Sequence, residues 1–145
     1  LDAHRGNGFE SIYCNDAKVH HFDIYNFDVY PGPHQVENDY MIPSFRNLSG
    51  EDYLDNLKYL EEFLGLHKEA KLVFYNAGTD ILKGDPLGCF NVPYEQVIER
   101  DRIVVEQLFR LGVPTVILTS GGYTKESAGL IAELAKIVFD MSSSA

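Results

Sequence analysis

Two short apolar runs joined by one helical stretch constrain this chain most: Leu72-Val73-Phe74-Tyr75 and Thr115 to Thr119. Between them, Tyr94 to Leu111 reads as a helix closed by Gly112 and Pro114. Strands separated by a helical crossover pair in parallel. Uninterrupted apolar runs suit parallel strands buried on both faces. The expected class is therefore α/β with a parallel sheet. In such sheets the ligand site lies beyond the carboxyl ends of the strands. Gly78-Thr79-Asp80 follows the first run and Ser120-Gly121-Gly122-Tyr123 the second, so both loops are expected on one rim.

The remaining pattern fits part of one α/β domain. Val19 to Ile24 reads as a further strand. Ser49 is a candidate N-cap with Asp52 three residues on. Tyr53, Leu54, Leu57, Leu60 and Leu64 then follow at helical spacing and stop at Gly65. Thr124 is expected to cap a last helix through about Phe139, leaving Met141 to Ala145 as a frayed tail. No repeat or low-complexity linker interrupts the chain. No apolar run approaches the ~20 residues of a membrane span. The net charge of −10 argues against direct nucleic-acid binding through phosphate neutralisation. Cys14 and Cys89 lack metal-ligand spacing and read as reduced, mostly buried thiols.

A third segment, Asp2-Ala3-His4, supplies the rest of the chemistry. Two carboxylates (Asp2, Asp80) and the His4 imidazole can hold one Zn²⁺ and leave coordination positions for water and a substrate oxygen. Tyr123 could then donate its hydroxyl to a developing oxyanion. Gly121 and Gly122 are expected to give its loop backbone angles closed to other residues. His20-His21 falls in the first expected strand, where neighbouring side chains point apart, and receives no catalytic role. His34 and His67 read as solvated.

These segments resemble the zinc-dependent histone deacetylase family over nearly the whole chain. Asp2-Ala3-His4-Arg5-Gly6-Asn7-Gly8 is similar to its first metal motif. Tyr75-Asn76-Ala77-Gly78-Thr79-Asp80-Ile81-Leu82 and Gly84-Asp85-Pro86-Leu87-Gly88 are similar to its second, and Thr119-Ser120-Gly121-Gly122-Tyr123-Thr124-Lys125 to its tyrosine loop. Asn7 stands where classes I and II usually have Asp, and Ser120 where class I has Gly; both departures point to class IV.

The resemblance implies a three-layer parallel-sheet fold of the arginase/deacetylase type, and hydrolysis of acyl-lysine amides on histones or other proteins. It implies Zn²⁺, with Fe²⁺ as an alternative, held by Asp2, His4 and Asp80, and Tyr123 as the catalytic residue. Asn7 would support a catalytic histidine, and Tyr30 would line the acyl-lysine channel. Asp23 would bind a structural monovalent cation such as K⁺, alongside oxygens of Asp2 and His4. The resemblance also implies an intracellular enzyme of nucleus or cytoplasm. In the family a long preceding portion carries an adjacent histidine pair that serves as base and acid. Residues 1–145 are thus expected to be the C-terminal part of one catalytic domain, inactive alone. The binuclear manganese arginases also begin with Asp-Ala-His. They need a carboxylate where Gly6 stands and another where Leu82 stands, so that reading fails. A catalytically incomplete interaction module using the same surface is the other alternative.

Overall fold

In a computed structural model, residues 1–32 and 40–143 are described; His34 lies outside them. Four short strands and five helices follow in the order α1 (Asn7–Tyr13), β1 (Asp23–Asn26), β2 (Met41–Ser44), α2 (Gly50–Asn56), α3 (Lys58–Leu66), β3 (Val73–Asn76), α4 (Tyr94–Leu111), β4 (Thr115–Leu118) and α5 (Ser127–Ser143).

β1 pairs with β2, and β3 with β4, both in parallel. The register sets Tyr25 against Pro43 and Phe74 against Val116. Residues 1–3 lie between the two pairs. The Leu1 nitrogen donates to Asn76 O at 2.9 Å, and the Asn26 amide donates to Ala3 O at 2.8 Å. This places Asp2 between the two strand pairs, beside the end of β3.

The expected α/β architecture with parallel pairing is present. α4 buries Val97, Val104, Val105 and Leu108 at helical spacing, and α5 packs on it through Leu130, Leu134 and Ile137. Gly112 ends α4 at φ 68°, a left-handed conformation that costs a residue with a Cβ about 1 kcal/mol or more.

Several local expectations are corrected. The strand expected from Val19 begins only at Asp23, because Asp16 folds the preceding segment into a turn, accepting from the Lys18 and Val19 amides. His20 and His21 therefore precede the strand. His20 stacks on His67 with ring centroids 3.6 Å apart, and His67 also packs on Phe63, so His67 is half-buried rather than solvated. The single helix expected after Ser49 is two, α2 and α3. Leu57 turns the chain between them through the tighter bonds Leu57 N to Leu54 O and Leu60 N to Leu57 O. α5 runs to Ser143, past the expected frayed end. Cys14 is exposed and Cys89 half-buried. β3 and β4 are covered on one face only: Tyr75 is buried, while Phe74 and Leu118 are exposed on the other.

Two elements were not anticipated. β2 contains Pro43, which argues against a central strand but is tolerated at an edge. α1 starts on Asn7-Gly8, both poor helix formers.

Ser49 behaves as expected of an N-cap: its Oγ accepts the Asp52 amide at 3.2 Å and lies 2.6 Å from Asp52 Oδ2. Ser49→Ala should therefore lower unfolding free energy by ~1 kcal/mol in urea titration, and an unchanged midpoint would remove the cap from the account.

Candidate metal centre

The three ligand candidates meet at the carboxyl ends of the strands. His4 Nδ1 lies 3.0 Å from Asp2 Oδ1 and 2.9 Å from Asp80 Oδ2. One ligand atom from each residue falls within 4.8 Å of the other two. Asp80 is fully buried, Asp2 nearly so, and His4 partly open toward solvent.

Two like charges this close need fixed counterparts, and the backbone supplies them. Asp80 Oδ1 accepts the Ala3 amide at 2.8 Å; Asp2 Oδ2 accepts the Gly121 amide at 2.7 Å, and Asp2 Oδ1 the His4 amide at 2.8 Å. Burial works against the charged form of Asp2, yet the hydrogen bonds from His4 and Gly121 hold its carboxyl below the usual range. Burial pushes Asp80 the other way, with the neighbouring Asp2 charge adding to it. Hydrogen bonds to both carboxylates raise His4 to about 10, so without metal it carries the positive charge that the pocket is built around.

The glycines act by close approach rather than by unusual backbone angles. Neither Gly121 nor Gly122 is among the glycines with positive φ, which corrects the expectation for this loop. A Cβ on Gly121 would collide with the Asp80 carboxylate and lie 2.6 Å from Asp2 Oδ2; one on Gly122 would collide with the Thr79 hydroxyl. The loop packs this closely on the two carboxylates because residue 121 has no side chain.

This donor set fits a zinc ion. Two carboxylate oxygens and an imidazole nitrogen lie within 4.8 Å of one another, with the side-chain-free Gly121 packed beside them. Asp2, His4 and Asp80 would hold it.

Tyr123 stands at the open side, half-exposed, its ring edge-on to His4 with centroids 6.4 Å apart. Its amide donates to Asp85 Oδ2 at 2.9 Å. Asp85 also accepts the Leu87 and Gly88 amides on Oδ1, so one buried carboxylate ties the tyrosine loop to the loop that carries Asp80. Thr79 adds a second tie, donating its amide (2.6 Å) and hydroxyl (3.2 Å) to Gly121 O.

Neither Thr79 nor Asp85 was assigned a role from sequence. The signal available was Asp85 ahead of Pro86-Leu87-Gly88, a turn in which an aspartate commonly accepts amides two residues on.

The other expected site residues lie further out. Asn7 is half-buried and opens α1, three residues from His4. Asp23 is buried and accepts the Gly6 amide at 3.0 Å; burial raises its carboxyl above the usual range. Tyr30 is 71% exposed, and its described contacts include none with Asp2, His4 or Asp80. His21 packs on Phe9, with its ring beside Gly6.

The chain is similar to known proteins in both sequence and fold. The chain is 38% identical over 135 residues to histone deacetylase 2 of Arabidopsis thaliana, covering 92% of this chain and 35% of that protein. It is 24% identical to histone deacetylase B of Dictyostelium discoideum, covering 86% of this chain and 31% of that protein. The chain thus spans about a third of the length of these relatives. Among solved structures, the HD domain of HDA15 superposes with a TM-score of 0.71 at 24% identity, over 97% of this chain and 43% of that one. An acetylpolyamine aminohydrolase from Burkholderia pseudomallei superposes with a TM-score of 0.76 at 19% identity, over 96% and 42%. These two likenesses establish the fold. The sequence profile of the histone deacetylase domain matches residues 1–138, and the chain belongs to that family.

Proposed function

We propose that this chain carries the metal centre of a zinc-dependent hydrolase acting on acyl-lysine amides of proteins. The observation that carries the proposal is the convergence of Asp2, His4 and Asp80 on one point beside the Tyr123 loop. Fe²⁺ suits the same donors. We further assign the chain to class IV, on Asn7 and Ser120, and place a monovalent cation at the buried Asp23. The net charge of −10 is compatible with a lysine-bearing partner. No helix among the described residues is long and apolar enough to cross a membrane.

When bound, the ion supplies a Lewis acid that polarises the acyl carbonyl and acidifies water. The residues do the rest. Asp2 and Asp80 hold the charge of the centre in a pocket where their remaining oxygens are already committed to amides. Within the glycine loop, the Gly121 and Tyr123 amides are also committed, to Asp2 and Asp85. We assign the contact with the substrate oxygen, as it becomes tetrahedral, to the Tyr123 phenol, which stands at the open side beside His4. Slight desolvation and the charges of Asp80, Asp2 and Asp85 raise its hydroxyl above the usual phenol range, which keeps the proton available for donation.

Three outcomes test this reading. Asp80→Ala should abolish stoichiometric zinc in metal analysis while the protein stays folded; retained zinc would exclude Asp80 as a ligand. In an enzyme that joins this chain to the portion carrying the family's histidine pair, Tyr123→Phe should keep zinc but lower kcat on an acyl-lysine peptide by ~10²–10³; an unchanged kcat there would reduce Tyr123 to a rim residue.

The third outcome is a pH dependence. A metal ion on His4 Nδ1 must displace a proton held up to about 10. Zinc affinity should therefore rise with pH over the range below that value, by ~tenfold per unit for one released proton. Chelator-buffered titrations between neutral and mildly alkaline pH measure this. A flat profile would mean that His4 is not a ligand.

A further inference from the structure

Arg100 lies within α4 with no solvent exposure, on the face that otherwise buries Val97, Val104 and Leu108. Arginine is almost never fully buried unless its charge and donors are matched. Nε lies 2.8 Å from Asp101 Oδ1, an ion pair rather than a well-aligned hydrogen bond, and the Tyr75 hydroxyl donates to the same oxygen. The other two nitrogens go to backbone. Nη1 donates to Leu1 O at 2.7 Å, and Nη2 to Gly78 O at 2.9 Å.

Those two carbonyls are not arbitrary. Leu1 directly precedes Asp2, and Gly78 stands two residues before Asp80. The two segments pass in contact here, since a Cβ on Gly78 would lie 2.6 Å from Asp2 Cα. Only a planar fork with donors on separate nitrogens can hold two carbonyls and face a carboxylate at once. An apolar side chain would fill the space and leave both carbonyls unpaired.

We propose that Arg100 is a positioning residue for the metal centre, its guanidinium fixing the spacing of the two backbone segments that carry Asp2 and Asp80. Burial opposes its charge, but Asp101 beside it keeps the guanidinium protonated, so the clamp is permanent rather than switchable. The inference rests on the metal-centre reading above and deepens it.

The test compares Arg100→Met with Leu108→Ala, a core truncation in the same helix that touches neither carbonyl. Two quantities are measured: zinc affinity by chelator competition, and hydrogen exchange of the Ala3 and Gly121 amides in metal-free protein. Those amides donate to Asp80 and Asp2, so their protection reports the carboxylate spacing without any ion. Arg100→Met should weaken zinc roughly 10- to 100-fold and deprotect both amides beyond its loss of global stability. Leu108→Ala should do neither. If Arg100→Met does not fold, Arg100→Lys, which keeps the charge but not the fork, is scored in the same way. Losses no greater than those of Leu108→Ala would overturn the proposal. Absence of zinc binding in the unaltered protein would instead overturn the metal reading, and amide protection alone would then decide the role of Arg100.

Discussion

Two buried carboxylates held against one imidazole nitrogen are the constraint around which the rest of this structure is arranged. Asp2 and Asp80 repel each other, and burial raises the cost of keeping them charged. Ala3, His4 and Gly121 supply amides that offset this, while His4 or a bound cation supplies the opposite charge. Each counterpart dictates a feature elsewhere. The Gly121 amide reaches Asp2 only if residue 121 has no side chain. The Ala3 amide reaches Asp80 only if residues 1–3 lie in the sheet beside β3, which the hydrogen bonds to Asn26 and Asn76 ensure.

Outside this shell, the connecting groups are buried polar side chains that bond to backbone rather than to each other. Thr79 and Asp85 tie the glycine loop down, and Asn26 donates to Gly88 O at 2.8 Å beneath it. Arg100 performs the same task on the helix side. Gly88 passes so close to the Asp80 backbone that a Cβ there would collide with its carbonyl. The pattern explains how Tyr123 can sit half-exposed on a loop whose backbone is fixed at both Gly121 and Tyr123.

Much of the site was legible in the sequence because its pieces are local. Gly78-Thr79-Asp80 and Ser120-Gly121-Gly122-Tyr123 each follow a strand-like run, parallel topology brings strand ends to one rim, and Asp2-Ala3-His4 is legible as a ligand pair two residues apart. The helical spacing of α4 and its Gly112 stop were legible for the same reason. What could not be read were features decided by tertiary contact. Arg100 looks like a surface residue in a helix rich in Glu and Arg, and only the packed core shows it facing Leu1 and Gly78. The β2 strand was hidden by Pro43, which an edge position accommodates. Gly121 and Gly122 were legible as important but for the wrong reason, since close approach to side chains 40 or more positions away leaves no local trace in a Gly-Gly pair.

The measurement that bears most directly on the central claim is X-ray absorption at the zinc edge of the metal-loaded protein. The account predicts a first shell of nitrogen and oxygen only, at ~2.0–2.2 Å, with imidazole scattering from a single histidine. That scattering should vanish on substitution of His4. A sulfur shell at ~2.3 Å, which would place zinc on Cys14 or Cys89, or a histidine signal that survives loss of His4, would contradict it.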